Sequence, residues 1–309
     1  MAKKDLLSIY DLTKKEIEAL LAKAFELKSK RKHLTDLTGK TLGLIFEKPS
    51  TRTMVSFAAA MAQLGGTPIL LNAQNLQRKR GESIHDTALV LSSYVSGLMI
   101  RAFKHSDVEE FAKYSSIPVI NGLTDYEHPC QILADIMTVM ELLLKTKTVE
   151  ALKKLKIVFV GDSNNVANSL IAVSAVLGLD FTLICPKDYA PKKAILDKAL
   201  KYTAQTGAEI KITSDINEAK NADVIYTDVW TSMGAESEAK KRKKAFAPYQ
   251  VNSELLKKAS SKCIVLHCLP ALRGEEITAE IMDKYETSIF TQAQNRLYAQ
   301  KAVLLSLLK

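Results

Sequence analysis

Thr41-Leu42-Gly43-Leu44-Ile45-Phe46-Glu47-Lys48-Pro49-Ser50-Thr51-Arg52-Thr53 runs from an apolar strand pattern, across a three-residue link, into a helix pattern that reaches about Leu64. A short apolar run closed by a Pro and followed by hydroxyl caps is the signature of a strand-to-helix turn. The first turn of a helix leaves N–H groups without intrahelical partners, and their dipoles favour an anion. Ser50, Thr51 and Thr53 add hydroxyls, and Arg52 adds a fork-shaped guanidinium suited to phosphate oxygens. A plain N-cap is the competing reading, but a cap needs one hydroxyl rather than three around an arginine.

Outward from this turn, strand-like runs alternate with helical ones. Strands are expected near Thr41–Phe46, Pro68–Leu71, Leu98–Arg101 and Pro118–Asn121, with helices at Ser50–Leu64, Ser83–Val95 and Asp107–Tyr114 between them. A long helix from about Pro129 to Leu144 ends in Lys145-Thr146-Lys147-Thr148. A second series follows, with strands near Lys156–Val160, Phe181–Cys185, Glu209–Thr213, Val224–Thr227 and Cys263–Leu266. This alternation predicts α/β architecture, two doubly wound domains, each with a mainly parallel sheet flanked by helices. A chain of 309 residues suits two domains of roughly 150 residues each. The expected division is residues 1–140 and 141–291, with a last helix over about 292–309 returning to the first domain.

Composition narrows the function classes. With 47% hydrophobic and 25% charged residues, the chain reads as an ordinary globular protein with a full core. No apolar run approaches the roughly 20 residues of a membrane span, and the N-terminus opens no signal-type apolar block, so a cytoplasmic protein is expected. Cys130, Cys185, Cys263 and Cys268 form no CxxC pair or zinc spacing, and free thiols are expected. The net charge of +9 has its densest cluster at Lys240-Lys241-Arg242-Lys243-Lys244. Glutamates precede it and Ala245-Phe246 follows, which suits the solvent face of a helix, and no interleaved aromatics offer bases a platform. A small anionic substrate uses such a field better than nucleic acid.

In open α/β sheets ligands sit beyond the carboxyl ends of strands. Arg101 ends an apolar strand, as an anion ligand or as a surface arginine packed along its stem. His128 precedes a helix opened by Pro129, so its imidazole and the Gln131 amide meet at the helix entrance as donors for a carbonyl oxygen, unless His128 is a satisfied loop histidine. Gly161-Asp162-Ser163-Asn164-Asn165 stands where a dinucleotide fingerprint would, but lacks the later glycines, and its amides suit an amino acid better. Helix capping explains one of the two asparagines. Asp228 ends another strand and is suited to an ammonium, with Ser232 and Gly234 in a loop able to close, while Trp230 reads equally as core. Cys268 follows His267 at the last strand end, as a reactive thiol or a small buried hydrophobe.

In order, Phe46 through Thr53, His128-Pro129-Cys130-Gln131, Gly161-Asp162 with Asn164-Asn165, Asp228-Val229-Trp230 with Ser232-Met233-Gly234, and His267-Cys268-Leu269-Pro270 resemble the carbamoyltransferases, most specifically the ornithine carbamoyltransferase branch. The resemblance covers nearly the whole chain. It implies transfer of a carbamoyl group from carbamoyl phosphate to the δ-amine of L-ornithine, giving L-citrulline and phosphate, with no metal and no organic cofactor. By motif position, Ser50, Thr51, Arg52 and Thr53 hold the phosphate, Arg101 bridges phosphate and carbonyl, and His128, Gln131 and Thr53 polarise the carbonyl. Arg296 matches a further carbamoyl phosphate ligand. Asn165, Asp228, Ser232 and Met233 match the binders of the α-amino and carboxylate ends of ornithine, and Cys268 with the Leu269 backbone lies by the δ-amine, both also counting among the carbamoyl phosphate ligands, with Cys268, His128, Arg101 and Asp228 as the implied catalytic residues. The resemblance also implies a homotrimer, or a multiple of trimers, with Gln77 entering a neighbouring subunit's site.

The chain departs from the family pattern in places. Arg78 and Lys79 replace a usual Leu-Gly, Met54 and Ala58 replace an Arg and a Glu one helical turn apart, and Leu272 replaces a commonly polar residue. Loss of both members of an i,i+4 pair strands no charge, so little functional cost is expected from Met54 and Ala58. Putrescine is the alternative amine acceptor within the family. A nicotinamide-dependent dehydrogenase and a non-enzymatic anion or nucleic-acid binder are the rivals outside it.

Overall fold

A computed structural model describes residues 3–30, 34–72, 76–231 and 236–309. The chain divides into two compact units, one of residues 1–134 and 295–309, the other of residues 135–294.

In the first unit, helix α1 (Lys14–Ser29) precedes strand β1 (Thr41–Phe46), α2 (Thr51–Gln63), β2 (Thr67–Asn72), α3 (Ile84–Tyr94), β3 (Gly97–Arg101), α4 (His105–Tyr114) and β4 (Val119–Leu123). Helix α5 (Pro129–Leu143) begins in this unit. The four strands pair in parallel in the order β2-β1-β3-β4. Such a sheet is covered on both faces, so its inner strands carry continuous apolar runs, and β3 is buried throughout. The order reverses between β1 and β3, opening a crevice at their carboxyl ends where Ser50–Thr53 and Arg101 stand.

Helix α2 forms because Ser50 caps it, its hydroxyl accepting the Thr53 N–H, and because Thr53, Phe57, Ala60 and Met61 recur on one face, all buried. Burying Phe57 or Met61 contributes about 2 kcal/mol each. The helix ends at Gly65, whose φ of +84° suits glycine and where an added Cβ would lie 3.0 Å from the Thr35 backbone.

The segment before α1 completes the sheet edge. Leu6 bridges to Ile120 beside β4, and buried Glu127 accepts the Ser8 hydroxyl at 2.6 Å and the Ile9 N–H at 2.9 Å. These bonds hold the loop that carries His128.

The second unit contains α6 (Val149–Leu152), β5 (Ile157–Val160), α7 (Asn165–Leu177), β6 (Phe181–Ile184), α8 (Lys193–Thr206), β7 (Ile210–Thr213) and β8 (Val224–Thr227). Helices α9 (Ala239–Phe246) and α10 (Ser253–Leu256), strand β9 (Ile264–His267) and helix α11 (Ala279–Lys284) follow. Its five strands are parallel in the order β7-β6-β5-β8-β9, and Val158, Val160, Ile184, Ile225 and Val265 lie in its buried core. Here the order reverses between β5 and β8, bringing Gly161–Asn165 and Asp228 to one crevice.

The two parallel sheets flanked by helices match the expected fold class. The last helix, α12 (Glu286–Leu308), starts six residues before the expected Gln292, because 286–292 continues the helical pattern without a breaker. Helix α1, capped by a Thr13/Glu16 box, is an element the strand-centred reading did not include.

Candidate active site

In the first unit the cradle is built around Thr53, which is fully buried. Its hydroxyl accepts Arg296 Nη2 at 2.8 Å and Arg101 Nη1 at 3.5 Å. Arg52 occupies the same first turn, and its buried Nε has no hydrogen-bond partner among the described residues. A buried guanidinium edge left open is a donor awaiting an acceptor.

His128 is buried immediately before Pro129, and Gln131 follows in the first turn of α5, its N–H donating to the His128 carbonyl at 3.0 Å. Burial, then the charges of Arg296, Arg101 and Arg52, hold the imidazole well below its ordinary pKa of 6.5. His128 is therefore neutral at physiological pH. Three arginines with a neutral histidine make a cationic pocket suited to a doubly charged anion. Ser50 is half-buried as the cap and Thr51 is exposed, and these residues lie in the first unit with Arg52, Thr53, Arg101, His128, Gln131 and Arg296, whereas the expected ligands Cys268 and Leu269 belong to the second. Gln77 sits apart, exposed, at the start of a short turn over Gln77–Arg80.

The second unit carries a polar group of its own. Gly161 ends β5 at a φ of +147° that favours glycine, and Asn164 rather than Asn165 takes the cap, its Oδ1 accepting the N–H groups of Val166 and Ala167. The other end of that amide, Nδ2, donates to Asp228 Oδ2 at 2.6 Å. Asp228 Oδ1 accepts the Cys268 thiol at 3.0 Å and the Val229 N–H at 2.8 Å. Asn165 is the first residue of α7 and is half-buried. Ser232 and Met233, with Gly234, lie outside the described residues.

Leu269 has a φ of +60°, uncommon for a leucine, and its N–H donates to His267 Nδ1 at 2.9 Å. That bond requires Nδ1 to be unprotonated, so Nε2 carries the proton and donates to Glu276 Oε1 at 3.0 Å. The Leu272 N–H shares the same carboxylate oxygen. Below this loop, Gln292 accepts the His267 N–H and donates to Asp135 and to the Tyr226 hydroxyl.

Asp228, His267 and Cys268 offer ligand atoms within 4.8 Å of one another. Both His267 nitrogens are already engaged, which leaves two protein donors, fewer than the three or four of a zinc site. The set does not fit a metal centre.

The profile of the aspartate/ornithine carbamoyltransferase carbamoyl-P binding domain matches residues 4–141, and that of the Asp/Orn binding domain matches residues 153–307. The chain belongs to the aspartate/ornithine carbamoyltransferase family. An ornithine carbamoyltransferase of Methanosphaera stadtmanae is 50% identical over 307 residues, covering 99% of each chain. One from Bacillus cereus is 53% identical, over 99% of this chain and 95% of its own. The solved ornithine carbamoyltransferase of Pyrococcus furiosus superposes with a TM-score of 0.92 at 48% identity, covering 99% of this chain and 97% of that one.

Three further residues were given no role of their own from sequence. Asn164 holds Asp228, as above. Lys48, in the link before the cradle, is buried with its Nζ 4.6 Å from the Phe103 ring centre. Arg242 departs from its cluster. Lys240, Lys241, Lys243 and Lys244 face solvent as expected, but Arg242 donates to Asp162 at 2.7 Å and to the Trp230 carbonyl at 2.9 Å. Burial raises the Asp162 pKa, against the opposing pull of Arg242. The only sequence signal for this pair was a lone acid in a strand-end loop.

Proposed function

We propose that this chain transfers the carbamoyl group of carbamoyl phosphate to the δ-amine of L-ornithine, forming L-citrulline and phosphate. The observation that carries the reading is the Cys268 thiol bonded to Asp228 at a strand end, in a domain matched to Asp/Orn binding. The arginine cluster around neutral His128, in the domain matched to carbamoyl-P binding, supports the donor half.

Residues 1–140 with the helix over 292–309 form the carbamoyl phosphate-binding domain in this reading, and residues 141–291 the ornithine-binding domain. Ser50, Thr51, Arg52 and Thr53 hold the phosphate, with Arg101 and Arg296. His128, Gln131 and Thr53 donate to the carbonyl oxygen. Asn165, Asp228, Ser232 and Met233 take the amino-acid end of ornithine, and Cys268 with the Leu269 backbone lies by the δ-amine. The neutral δ-nitrogen bonds to the carbamoyl carbon while charge gathers on the carbonyl oxygen, where the donors stabilise it. The C–O bond to phosphate then breaks, phosphate leaves with its electron pair into the arginine cluster, and the surplus amine proton is released.

The protein acts as a homotrimer, or a multiple of trimers, with Gln77 serving a neighbouring site. Exposed Val55, Ile69, Leu70, Leu89, Val90 and Tyr94, all in the first unit, support an apolar subunit interface. A role in arginine biosynthesis in the cytoplasm completes the reading, and four free thiols fit a reducing compartment. Among the described residues no helix is long and apolar enough to cross a membrane.

A citrulline assay with ornithine, putrescine and aspartate as acceptors tests the proposal. Citrulline from ornithine alone is expected. Product from putrescine or aspartate without product from ornithine overturns it.

A further inference from the structure

Arg78, which replaces the leucine usual in the family, is drawn inward on three sides. Its Nη1 donates to Glu47 Oε1 at 2.6 Å, its Nη2 lies 3.6 Å from Asp107, and its guanidinium is 5.5 Å from the centre of the Phe111 ring. The residues around it form a tight 3₁₀ turn, Gln77–Arg80, closed by the Gly81 N–H on the Arg78 carbonyl at 3.0 Å. In such a turn successive side chains point about 120° apart. An inward Arg78 therefore fixes an outward Gln77, and Gln77 is exposed.

The anchor itself belongs to the cradle. Glu47 lies three residues before Ser50, its Oε2 accepts the Phe103 N–H at 3.1 Å, and its own N–H donates to the Arg101 carbonyl at 2.9 Å. One carboxylate thus braces the strand end bearing Arg101 and the turn bearing Gln77. A leucine at position 78 supplies neither the ion pair nor the stacking on Phe111.

We infer that Arg78 is a positioning residue, which aims Gln77 by tying its turn to Glu47 at the edge of the carbamoyl phosphate cradle. The inference rests on the functional reading above and on the role of Gln77 within it. Through Glu47, the geometry of one subunit's own cradle is linked to the glutamine that subunit lends to its neighbour.

The test is steady-state kinetics on the full-length protein with Arg78→Leu, Arg78→Lys, Gln77→Ala and the Arg78→Leu/Gln77→Ala double variant. Arg78→Leu is expected to raise KM for carbamoyl phosphate about fivefold, the scale of one partly buried ion pair, with KM for ornithine unchanged. Arg78→Lys should recover part of the loss. In the Gln77→Ala background Arg78→Leu should add nothing, because the two act as a unit. A wild-type KM in Arg78→Leu, or fully additive losses in the double variant, overturns the inference while leaving the enzyme assignment standing. A variant that sediments at lower mass than the wild type also overturns it, since the loss then lies in assembly. Absence of citrulline formation by the wild type overturns the functional reading, and the inference with it.

Discussion

Arg296 and Thr53 stand 243 positions apart in sequence, yet the guanidinium donates to the buried threonine hydroxyl at 2.8 Å. The final helix thus supplies a side chain to the first helix turn after β1. Arg52 and Arg296 come from different elements, so in the proposed reading neither replaces the other at the phosphate. Arg52→Ala is expected to lower kcat/KM about a thousandfold, the scale of a lost preorganised donor, and Arg296→Lys about tenfold, because lysine keeps the charge but not the fork. Citrulline formation at limiting carbamoyl phosphate measures both. A retained activity in Arg52→Ala shows that the cradle is misassigned.

His128 is neutral in the folded protein because burial and three arginines disfavour its charged form. No limb of the kcat/KM profile above pH about 6.5 should therefore belong to it. The stability sign follows from a depressed folded pKa. Below the ordinary value of 6.5 the unfolded chain takes up a proton that the folded chain resists, so stability falls as pH drops through that region. His128→Asn removes this dependence. In urea titrations from pH 7 to 5 the wild type should lose more stability than the variant.

The Cys268 thiol donates to Asp228. Cys268→Ala should raise KM for ornithine and lower kcat, together about a hundredfold in kcat/KM, with carbamoyl phosphate binding unchanged. Cys268→Ser keeps a donor toward Asp228 and should fall between. Isothermal titration with carbamoyl phosphate separates the two half-sites.

Asn164 carries two jobs on one amide, capping α7 and holding Asp228. Asn164→Ala should cost about 1 kcal/mol in urea unfolding and also weaken ornithine binding. Asn165→Ala should affect ornithine without a cap-sized loss of stability. Equal stability losses for the two would assign the cap wrongly.

Strands were legible because a parallel sheet buries both faces, and Val224–Thr227 and Thr41–Phe46 carry that pattern without interruption. The arginine cluster was legible only through motif order, since nothing local joins Arg296 to Thr53. Arg242 was not legible at all. Which of five adjacent basic residues turns inward depends on the rotation of α9 against Asp162, a tertiary fact. Likewise His267 meets Glu276 through the shape of the loop between them, which no periodicity encodes.

A hydroxyl has two lone pairs and one hydrogen. At Thr53 two guanidiniums occupy the lone pairs, so the hydrogen alone remains to greet a ligand. The residue is thereby polarised into a pure donor, blind to N–H groups and responsive to oxygen. In carbamoyl phosphate the amide nitrogen and the carbonyl oxygen are nearly equal in size, and shape alone would let the group sit either way round. In the proposed reading, that one threonine proton is matched by the carbonyl oxygen and not by the amide nitrogen.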